Sequence, residues 1–237
     1  MKVFVTGTAG FIGSHLANKL LTEGHEVIGV DCFIDYYPRA VKEKNIAGFL
    51  DNSNFTFIEE NILELDLDEL LTDIDYVFHQ AAQAGVRSSW GKDFAIYDKN
   101  NILATQKLLE AARDKSLKKF VYASSSSVYG NAEKLPVNET ARLKPLSPYG
   151  VSKLAAESDI EGEVFNIGGV ERKELNEIIA MIEALTGKEA NIKYMAEVKG
   201  DAKHTAADCA KAASMLKFKQ EISFEEGLRR EIEWLNF

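Results

Sequence analysis

The sequence predicts an α/β fold, a doubly wound parallel sheet with a small C-terminal α/β lobe. Five short apolar segments, rich in Val, Ile, Phe or Tyr and bounded by turn residues, have the composition of buried strands. Helix-forming stretches separate most of them, and this alternation requires right-handed crossovers between parallel strands. The five segments are KVFVTG (2–7), EVIGVD (26–31), FTFIEEN (55–61), YVFHQAA (76–82) and KFVYASS (119–125).

Apolar periodicity predicts two helices between these strands. The first buries a face formed by Ile12, Leu16 and Leu20 and ends at Gly24, because glycine favours the left-handed conformation that often follows a helix. The second extends over residues 102–112, a run of good helix formers.

The pattern changes after Gly162, where we predict a C-terminal lobe over residues 162–237 that follows a domain of residues 1–157. The lobe contains strands at EVFNIGG (163–169) and NIKYM (191–195), a helix between them, and two helices near Asp208 and Phe224. The apolar face of the first of these helices comprises Leu175, Ile178, Ile179, Ile182 and Leu185.

Composition and charge exclude several classes of partner. The chain has 237 residues, of which 46% are apolar, enough to bury a substantial core. Its 28 basic and 37 acidic residues give a net charge of -9, which repels nucleic acid phosphates and anionic lipid. No apolar run reaches membrane-spanning length. Cys32 and Cys209 are too few for a disulfide framework, so we expect a cytoplasmic protein with reduced thiols.

The first strand leads into TGTAGFIG (6–13), a glycine-rich loop that opens the first helix. Glycines permit a tight turn and let a pyrophosphate approach backbone N–H groups at the positive end of the helix. Asp31 ends the second strand, where a carboxylate accepts hydrogen bonds from the ribose hydroxyls of an adenosine. The same carboxylate repels a 2′-phosphate, so the pattern predicts binding of NAD in preference to NADP.

A second pattern follows the fifth strand, at the end where ligands bind in open α/β sheets. The strand ends in four serines, 124–127, and Ser147 is a good N-cap for a helix with Pro148 in its first turn. Tyr149 and Lys153 are then neighbours on one face of that helix. Such a pair is usually a solvated surface, but its position after the fifth strand favours a catalytic role.

Tyr149 would act as a base near neutral pH, although free tyrosine has a pKa of about 10. The difference of about three units corresponds to about 4 kcal/mol. One cation at about 4 Å, in an effective dielectric constant near 20, supplies about that energy. We therefore expect Lys153 and a positive nicotinamide ring to lower the pKa of Tyr149, and a serine hydroxyl beside it to share the proton.

These motifs together resemble the extended short-chain dehydrogenases/reductases, and among them the NAD-dependent nucleotide-sugar epimerases. The matching stretches are TGTAGFIG, Asp31, HQAAQAGVR, Asn100 and Asn101 before LATQ, ASSSSVYG, YGVSK, FNIGG and GDAKHTAAD. The resemblance implies a Rossmann fold, bound NAD, and epimerisation at C4 of a nucleotide-diphosphate sugar through a transient 4-keto sugar. It also implies a homodimer that pairs the helices after Asn100 and Ser147. The apolar surface of that dimer would come from Tyr97, Ile102, Leu109, Leu154 and Ala155.

The resemblance also implies roles for individual residues. Ser125 is the catalytic hydroxyl, Tyr149 the base, and Lys153 its support and a ligand of the nicotinamide ribose. The remaining implied cofactor contacts are Gly7, Gly10, Phe11, Ile12, Gly13, Asp31, Asn61, Ile62, Gln80, Ala81, Ala82 and Asn100. The family commonly has aspartate at the position of Asn61. The implied contacts to the substrate, expected to be a UDP-sugar, are Arg87, Ser125, Ser126 and Asp201, with a surface ion pair as an equal alternative for Arg87.

Two further features bear on the chemistry. Sugar dehydratases and decarboxylases of the family typically carry an acidic residue just before the VYG triplet, where this chain has Ser126 and Ser127. This favours simple epimerisation, with dehydration or decarboxylation as the alternative. The four histidines share no metal-ligand spacing, so we assign no metal; they are His15, His25, His79 and His204.

The helix of Tyr149 and Lys153 lacks the family's continuation, since the resemblance breaks off near Glu157 and resumes at EGEVFNIGG (161–169). We predict that an internal segment is missing, with an interruption of the backbone between Lys153 and Gly162, near residues 157–159. The alternative is a compact variant in which residues 164–167 serve as a sixth strand. A chain that truly lacks the segment would have an open sugar pocket, and its alternative function is a non-catalytic NAD-binding module.

Overall fold

A computed structural model describes residues 1–158, 160, 162–196, 200–202 and 204–235. The chain divides into two compact units. The first comprises residues 1–128 and 145–161, and the second comprises residues 129–144 and 162–237. Residues 129–144 therefore belong with the C-terminal part of the chain, although they precede the helix of Tyr149. Within the described ranges, no helix combines the length and apolar content that crossing a bilayer requires.

The first unit contains a five-stranded parallel sheet, which confirms the predicted fold class. Its strands lie at the five predicted positions: β1 (Lys2–Thr6), β2 (Glu26–Asp31), β3 (Phe55–Glu59), β4 (Tyr76–His79) and β5 (Lys119–Tyr122). Their order is β3-β2-β1-β4-β5. The order reverses at β1, between β2 and β4, and such a reversal leaves a crevice outside the carboxyl ends of the strands.

Helices flank this sheet and account for the regular structure of the second unit. They are α1 (Phe11–Thr22), α2 (Arg39–Ala47), α3 (Leu67–Leu70), α4 (Phe94–Tyr97), α5 (Ala104–Ala112), α6 (Pro148–Ser158), α7 (Leu175–Thr186), α8 (Ala210–Leu216) and α9 (Phe224–Leu235). A π-helical turn, Asp98–Leu103, joins α4 to α5. The helical segment predicted to begin at Ile102 is therefore continuous with α4 and begins at Phe94. Its buried residues include Asn101, which a count of apolar residues ignores.

The sheet packs against helices on both faces, since successive residues of a strand point to opposite sides. Val3 and Val5 of β1 belong to one buried cluster with Leu21 of α1. Phe4 belongs to a second cluster, which includes Leu108 of α5. Burial of each large apolar side chain contributes roughly 1.5–3 kcal/mol. These clusters fix the carboxyl ends of the strands relative to α1 and α5.

The buried face of α1 differs from the prediction. Ile12 is 65% exposed, whereas Ala17 and Leu21 are buried. Leu16 and Leu20 are only partly buried at the edge of the cluster. The small side chain of Ala17 lets α1 lie close to the sheet, so the helix turns this side, rather than the side of Ile12, toward β1.

In the second unit, α7, α8 and α9 agree with the predicted helices, but neither predicted strand forms. Residues 163–169 and 191–195 have no strand conformation. Tyr194 and Met195 are 84% and 78% exposed, and α7 has no buried residue. A strand needs a neighbour for its N–H and C=O groups. The described part of this unit provides only one isolated bridge, between Val137 and Ala207.

The end of α6 bears on the predicted interruption of the chain. The helix ends at Ser158, and the N–H group of Ile160 donates to the carbonyl oxygen of Glu157 at 3.1 Å. Asp159 and Glu161, where the interruption is predicted, lie outside the described residues. Residues 164–167 do not form the alternative sixth strand, and the sheet ends at β5.

Candidate active site

The glycine loop lies between β1 and α1, and close contacts require its glycines. Gly7 has a φ of +70°, and a Cβ atom there would lie 2.8 Å from the backbone nitrogen of Ala81. A Cβ atom on Gly13 would lie 2.1 Å from the carbonyl oxygen of Gly7. Larger residues would push the loop away from α1 and from the segment after β4. The loop thus folds tightly against the start of α1, whose positive end can attract a phosphate.

Asp31 lies beside this loop at the carboxyl end of β2. Its carboxylate accepts hydrogen bonds from the N–H groups of Ala9, at 3.1 Å, and Phe33, at 2.8 Å. Burial, and after it the negative charge of Asp31, raise the pKa of both Cys32 and Tyr37. A charged acceptor with a fixed orientation thus stands next to the glycine loop.

His79 closes β4 and is held in its neutral form. Its ring is 1% exposed, and burial lowers its pKa to about 3. Thr6 Oγ1 accepts from the N–H group of Ala81 at 3.1 Å and can donate its own proton to His79 Nδ1, at 2.7 Å. Thr105 Oγ1 donates to the carbonyl oxygen of Asn101 at 2.6 Å, so it accepts from His79 Nε2, at 3.0 Å. His79 therefore ties β1, β4 and α5 together.

Asn101 links the segment after β4 to α6. Its side chain is 1% exposed within the π-helical turn. Oδ1 accepts from the N–H group of Gln83 at 2.7 Å, and Nδ2 donates to the carbonyl oxygen of Gln83 at 3.1 Å. Nδ2 also donates to Ser152 Oγ at 2.9 Å, and that hydroxyl donates to the carbonyl oxygen of Tyr149 at 2.8 Å. All hydrogen-bonding atoms of the Asn101 side chain are engaged.

Tyr149 lies in the first turn of α6, close to the serines that follow β5. Ser147 Oγ accepts from the N–H group of Gly150 at 3.1 Å, which confirms the predicted N-cap. A Cβ atom on Gly150 would lie 2.7 Å from the carbonyl oxygen of Ser127, so glycine permits this close approach. The side chain of Ser125 is near enough to that of Tyr149 to lower its pKa by hydrogen bonding.

Lys153, one turn later, is buried with 3% of its surface exposed. Its Nζ donates to the carbonyl oxygen of Ala123 at 2.7 Å and lies 4.7 Å from the centroid of the Tyr122 ring. Burial lowers the pKa of Lys153 to about 8. An ammonium group has three protons, so this one can donate to further acceptors besides Ala123.

The pKa of Tyr149 differs from the value that a base near neutral pH requires. Burial raises this pKa, and the hydrogen bond with Ser125 opposes the rise. Lys153 is not among the causes of this shift. The expectation that Lys153 lowers the pKa of Tyr149 is therefore not met by the side chains of the protein.

Comparison with protein families identifies the chain. A model described as the NAD dependent epimerase/dehydratase family matches residues 3–168, more than half of the sequence. The chain belongs to this family.

Relatives of this family member align with it over nearly the whole of this chain. An uncharacterized UDP-glucose epimerase of Bacillus subtilis, YtcB, is 36% identical over 311 residues, covering 100% of this chain and 98% of that protein. The UDP-glucuronate 4-epimerase of Thermodesulfobacterium geofontis is 30% identical over 307 residues, covering 97% of this chain and 94% of that protein. A crystal structure of UDP-glucuronic acid 4-epimerase from Bacillus cereus, in complex with UDP-glucuronic acid and NAD, has a TM-score of 0.95 and 36% identity. The match covers 100% of this chain and 99% of the chain in that crystal structure.

The length of the first alignment supports the predicted missing segment. All 237 residues of this chain are spread over 311 positions, so at least 74 positions, the difference of the two numbers, have no residue in this chain. Both ends of the relative are nearly covered, so the shortfall is internal. Its place between Lys153 and Gly162 stays a prediction.

Other predicted site residues of this family member are dispersed. Asn61 Oδ1 accepts from the N–H group of Leu63 at 3.0 Å and caps a short 3-10 turn, Ile62–Glu64. Ile62 itself is in the core, with 7% of its surface exposed. Arg87 begins another 3-10 turn, whereas Asp201 is exposed in the second unit.

Sequence reasoning missed or misplaced several residues around the site. Asn101, to which the sequence assigned no role, makes the buried network, and the cofactor contact of Asn100 stays a prediction. Tyr97, predicted for a dimer surface, is 1% exposed, and its hydroxyl lies 2.9 Å from the carbonyl oxygens of Ala84 and Gly85. Its ring packs edge-on against Tyr149 at 6.2 Å, so it cannot lie in an interface. No local signal distinguishes these residues from other polar or aromatic residues of a helix.

Proposed function

We propose that this chain catalyses NAD-dependent epimerisation at C4 of a UDP-sugar. The observation that carries the proposal is the arrangement of Tyr149, Lys153 and Ser125 around the carboxyl end of β5, in the same unit as the glycine loop. Membership of the epimerase/dehydratase family and the similarity to a UDP-glucuronic acid 4-epimerase support it.

The residues present fit NAD. Gly7 and Gly13 let the loop fold tightly at the start of α1, where a pyrophosphate can approach backbone N–H groups. The oriented carboxylate of Asp31 is suited to the two hydroxyls of an adenosine ribose and disfavours the 2′-phosphate of NADP. The ammonium group of Lys153 can serve the hydroxyls of the nicotinamide ribose. NAD supplies an acceptor for the C4 hydride and then returns it.

The protein's own part in the reaction is proton transfer and orientation. Tyr149 accepts the proton of the C4 hydroxyl when the hydride leaves, and gives it back when the 4-keto sugar is reduced from the other face. Ser125 hydrogen-bonds both the Tyr149 oxygen and the sugar oxygen. The buried charge of Lys153 favours the phenolate form of Tyr149 once the site is filled, because water no longer screens it.

The choice of sugar rests on fewer contacts. We assign Arg87, Ser126 and Asp201 to substrate binding and the remaining cofactor contacts to the residues near the glycine loop and after β4. Ser126 and Ser127 provide no carboxylate for elimination, which favours epimerisation over dehydration or decarboxylation. The named relatives act on UDP-glucose or UDP-glucuronate, so these two sugars are the substrates to test first.

A second candidate function is a non-catalytic NAD-binding module. The internal shortfall of at least 74 alignment positions favours it, because a missing segment would remove part of the sugar pocket. The two candidates share the NAD site and differ only in sugar turnover.

One experiment separates them. The purified 237-residue chain is titrated with NAD and then incubated with UDP-glucose or UDP-glucuronate, and the 4-epimers are quantified by nuclear magnetic resonance. The epimerase predicts NAD binding and formation of the epimer by the wild type but not by Tyr149→Phe. NAD binding with no epimer from either sugar would support the binding module instead.

We also propose that the chain forms a homodimer through α4, the π-helical turn, α5 and α6. Ile96, Leu103 and Val151 are 45%, 51% and 46% exposed on these elements. Such side chains, with Ile102, Leu109, Leu154 and Ala155 around them, suit a self-complementary interface about a two-fold axis.

A further inference from the structure

α6 contacts three consecutive residues at the end of β5 through three of its side chains. Ser125 lies near the Tyr149 hydroxyl and lowers its pKa by hydrogen bonding. Lys153 donates to the carbonyl oxygen of Ala123 at 2.7 Å. One turn beyond Lys153, the carboxylate of Glu157 accepts a hydrogen bond from Ser124 Oγ. Positions four residues apart lie along one side of a helix. The proposed base, its supporting lysine and Glu157 therefore form one row.

Glu157 also lies near Tyr122, a residue of β5. Burial, and after it the charges of Tyr149 and Glu157, raise the pKa of Tyr122. The carboxylate thus lies near Tyr122, whose ring also packs against the ammonium group of Lys153. The Tyr122 hydroxyl is buried and has no hydrogen-bond partner among the described residues. The hydrogen bond to Glu157 comes from Ser124 instead.

Glu157 occupies an unfavourable position for an acidic residue at the end of α6. A carboxylate in the last turn lies close to the negative end of the helix dipole, where acidic residues are disfavoured. Glu157 is the penultimate residue of α6. The hydrogen bond from Ser124 offsets this unfavourable placement and connects the end of α6 to the end of β5.

We propose that Glu157 is a positioning residue that holds Ala123 and Ser125 in register with Lys153 and Tyr149 through its hydrogen bond from Ser124. The catalytic roles of Tyr149, Lys153 and Ser125 in this statement rest on the proposed function. Loss of the bond frees residues 123–125 to move, which weakens the hydrogen bond between Ser125 and Tyr149. That bond favours the phenolate, so its loss disfavours deprotonation of Tyr149.

The test is a titration of Tyr149 that needs no sugar turnover. Phenolate formation is followed by ultraviolet absorbance in the NAD-bound protein, and the signal of Tyr149 is obtained by subtracting a matched Tyr149→Phe protein in each background. The other ionisable groups around the row are Tyr36 and Tyr97 near Tyr149, Tyr122 near Glu157, and His79 near Lys153. These groups are present both in each protein and in its matched Tyr149→Phe protein, so their absorbance changes cancel when the two spectra are subtracted.

Four variants separate position from charge. Glu157→Ala and Ser124→Ala should each raise the pKa of Tyr149 by about one unit, which is a tenfold change in proton affinity. The double variant should show no further rise, because both substitutions remove one bond. Glu157→Gln should stay near the wild type, since its amide oxygen still accepts from Ser124. Ser158→Ala, next along the helix and exposed, is the matched control and should change nothing.

The outcomes are distinct. A Tyr149 pKa that stays unchanged or falls in both Glu157→Ala and Ser124→Ala overturns the proposal, since removal of a negative charge alone would lower it. Equal shifts in Glu157→Gln and Glu157→Ala would also overturn it. Ser124→Ala removes only a hydroxyl and keeps the test decisive if Glu157→Ala does not fold. If the wild type shows no sugar turnover, the proposed function fails while the titration still decides the role of Glu157.

Discussion

Asn101 Nδ2 donates to Ser152 Oγ at 2.9 Å, across 51 residues of sequence. This contact joins the π-helical turn to the helix of Tyr149 and Lys153. The same side chain holds both backbone groups of Gln83, so the segment after β4 and α6 keep a fixed spacing.

Asn101→Asp should lower the free energy of unfolding by roughly 2–4 kcal/mol. The aspartate keeps an acceptor for the Gln83 N–H group but loses the donor for the carbonyl oxygen of Gln83 and for Ser152, and a buried group left without its partner costs about 1–3 kcal/mol. Urea denaturation measures the change. Asn100→Asp in the same turn is the control, and equal losses for the two variants would contradict this account.

Tyr149→Phe should remove nearly all epimerase activity while NAD affinity stays within about twofold, because only the ionisable oxygen is lost; general-base contributions are typically about 10²-fold or more. Turnover of a UDP-sugar and fluorescence titration with NAD check the two statements. Activity above a few per cent of the wild type would place the base on another residue.

Asp31→Asn should weaken NAD binding by about tenfold and narrow the preference over NADP, because the neutral amide no longer favours ribose hydroxyls over a 2′-phosphate. Dissociation constants for both cofactors provide the measurement, with the exposed Asp35→Asn as the control. Tighter binding of NADP than of NAD by the wild type would show that the cofactor assignment is wrong.

His79 should make the protein less stable in mild acid. Its pKa in the folded protein, about 3, lies below the ordinary value of 6.5, so below pH 6.5 the unfolded chain binds a proton that the folded protein does not. Stability is therefore fully present above pH 6.5 and decreases as the pH falls from 6.5 toward 3, by up to about 1.4 kcal/mol per pH unit.

Urea denaturation at several pH values between 5 and 7.5 tests this dependence. His79→Gln is less stable at every pH, but its stability should depend less on pH than that of the wild type. Parallel curves for the two proteins would show that His79 does not take up the proton on unfolding.

Val151→Glu should convert the proposed homodimer into a monomer, because it places a charge in the centre of an apolar interface. Val151 is 46% exposed, so the substitution leaves the core intact. Light scattering at micromolar concentration measures the mass, and Val170→Glu, 79% exposed in the second unit, is the control. A monomeric wild type would exclude the dimer at that concentration.

The sequence alone determined the parallel sheet, the glycine loop beside Asp31, the N-cap at Ser147 and the family. These features depend on neighbours within a few residues: apolar composition for the strands, glycine spacing for the loop, and one hydroxyl for the cap. The two C-terminal strands were wrong for the same reason. A local apolar pattern shows that a segment favours β-structure, but it does not supply the neighbouring strand whose N–H and C=O groups it needs.

The tertiary structure alone decided which polar residues surround the site. His79 is neutral because burial, and after it the charge of Lys153, lower its pKa. Thr6 and Thr105, which hydrogen-bond its two nitrogens, lie 73 and 26 residues away in the sequence. Glu157 contacts Ser124 across 33 residues, and Asn101 is buried in the π-helical turn before α5. Burial and long-range hydrogen bonds set these pairings, and neither has a period or a spacing that the sequence displays.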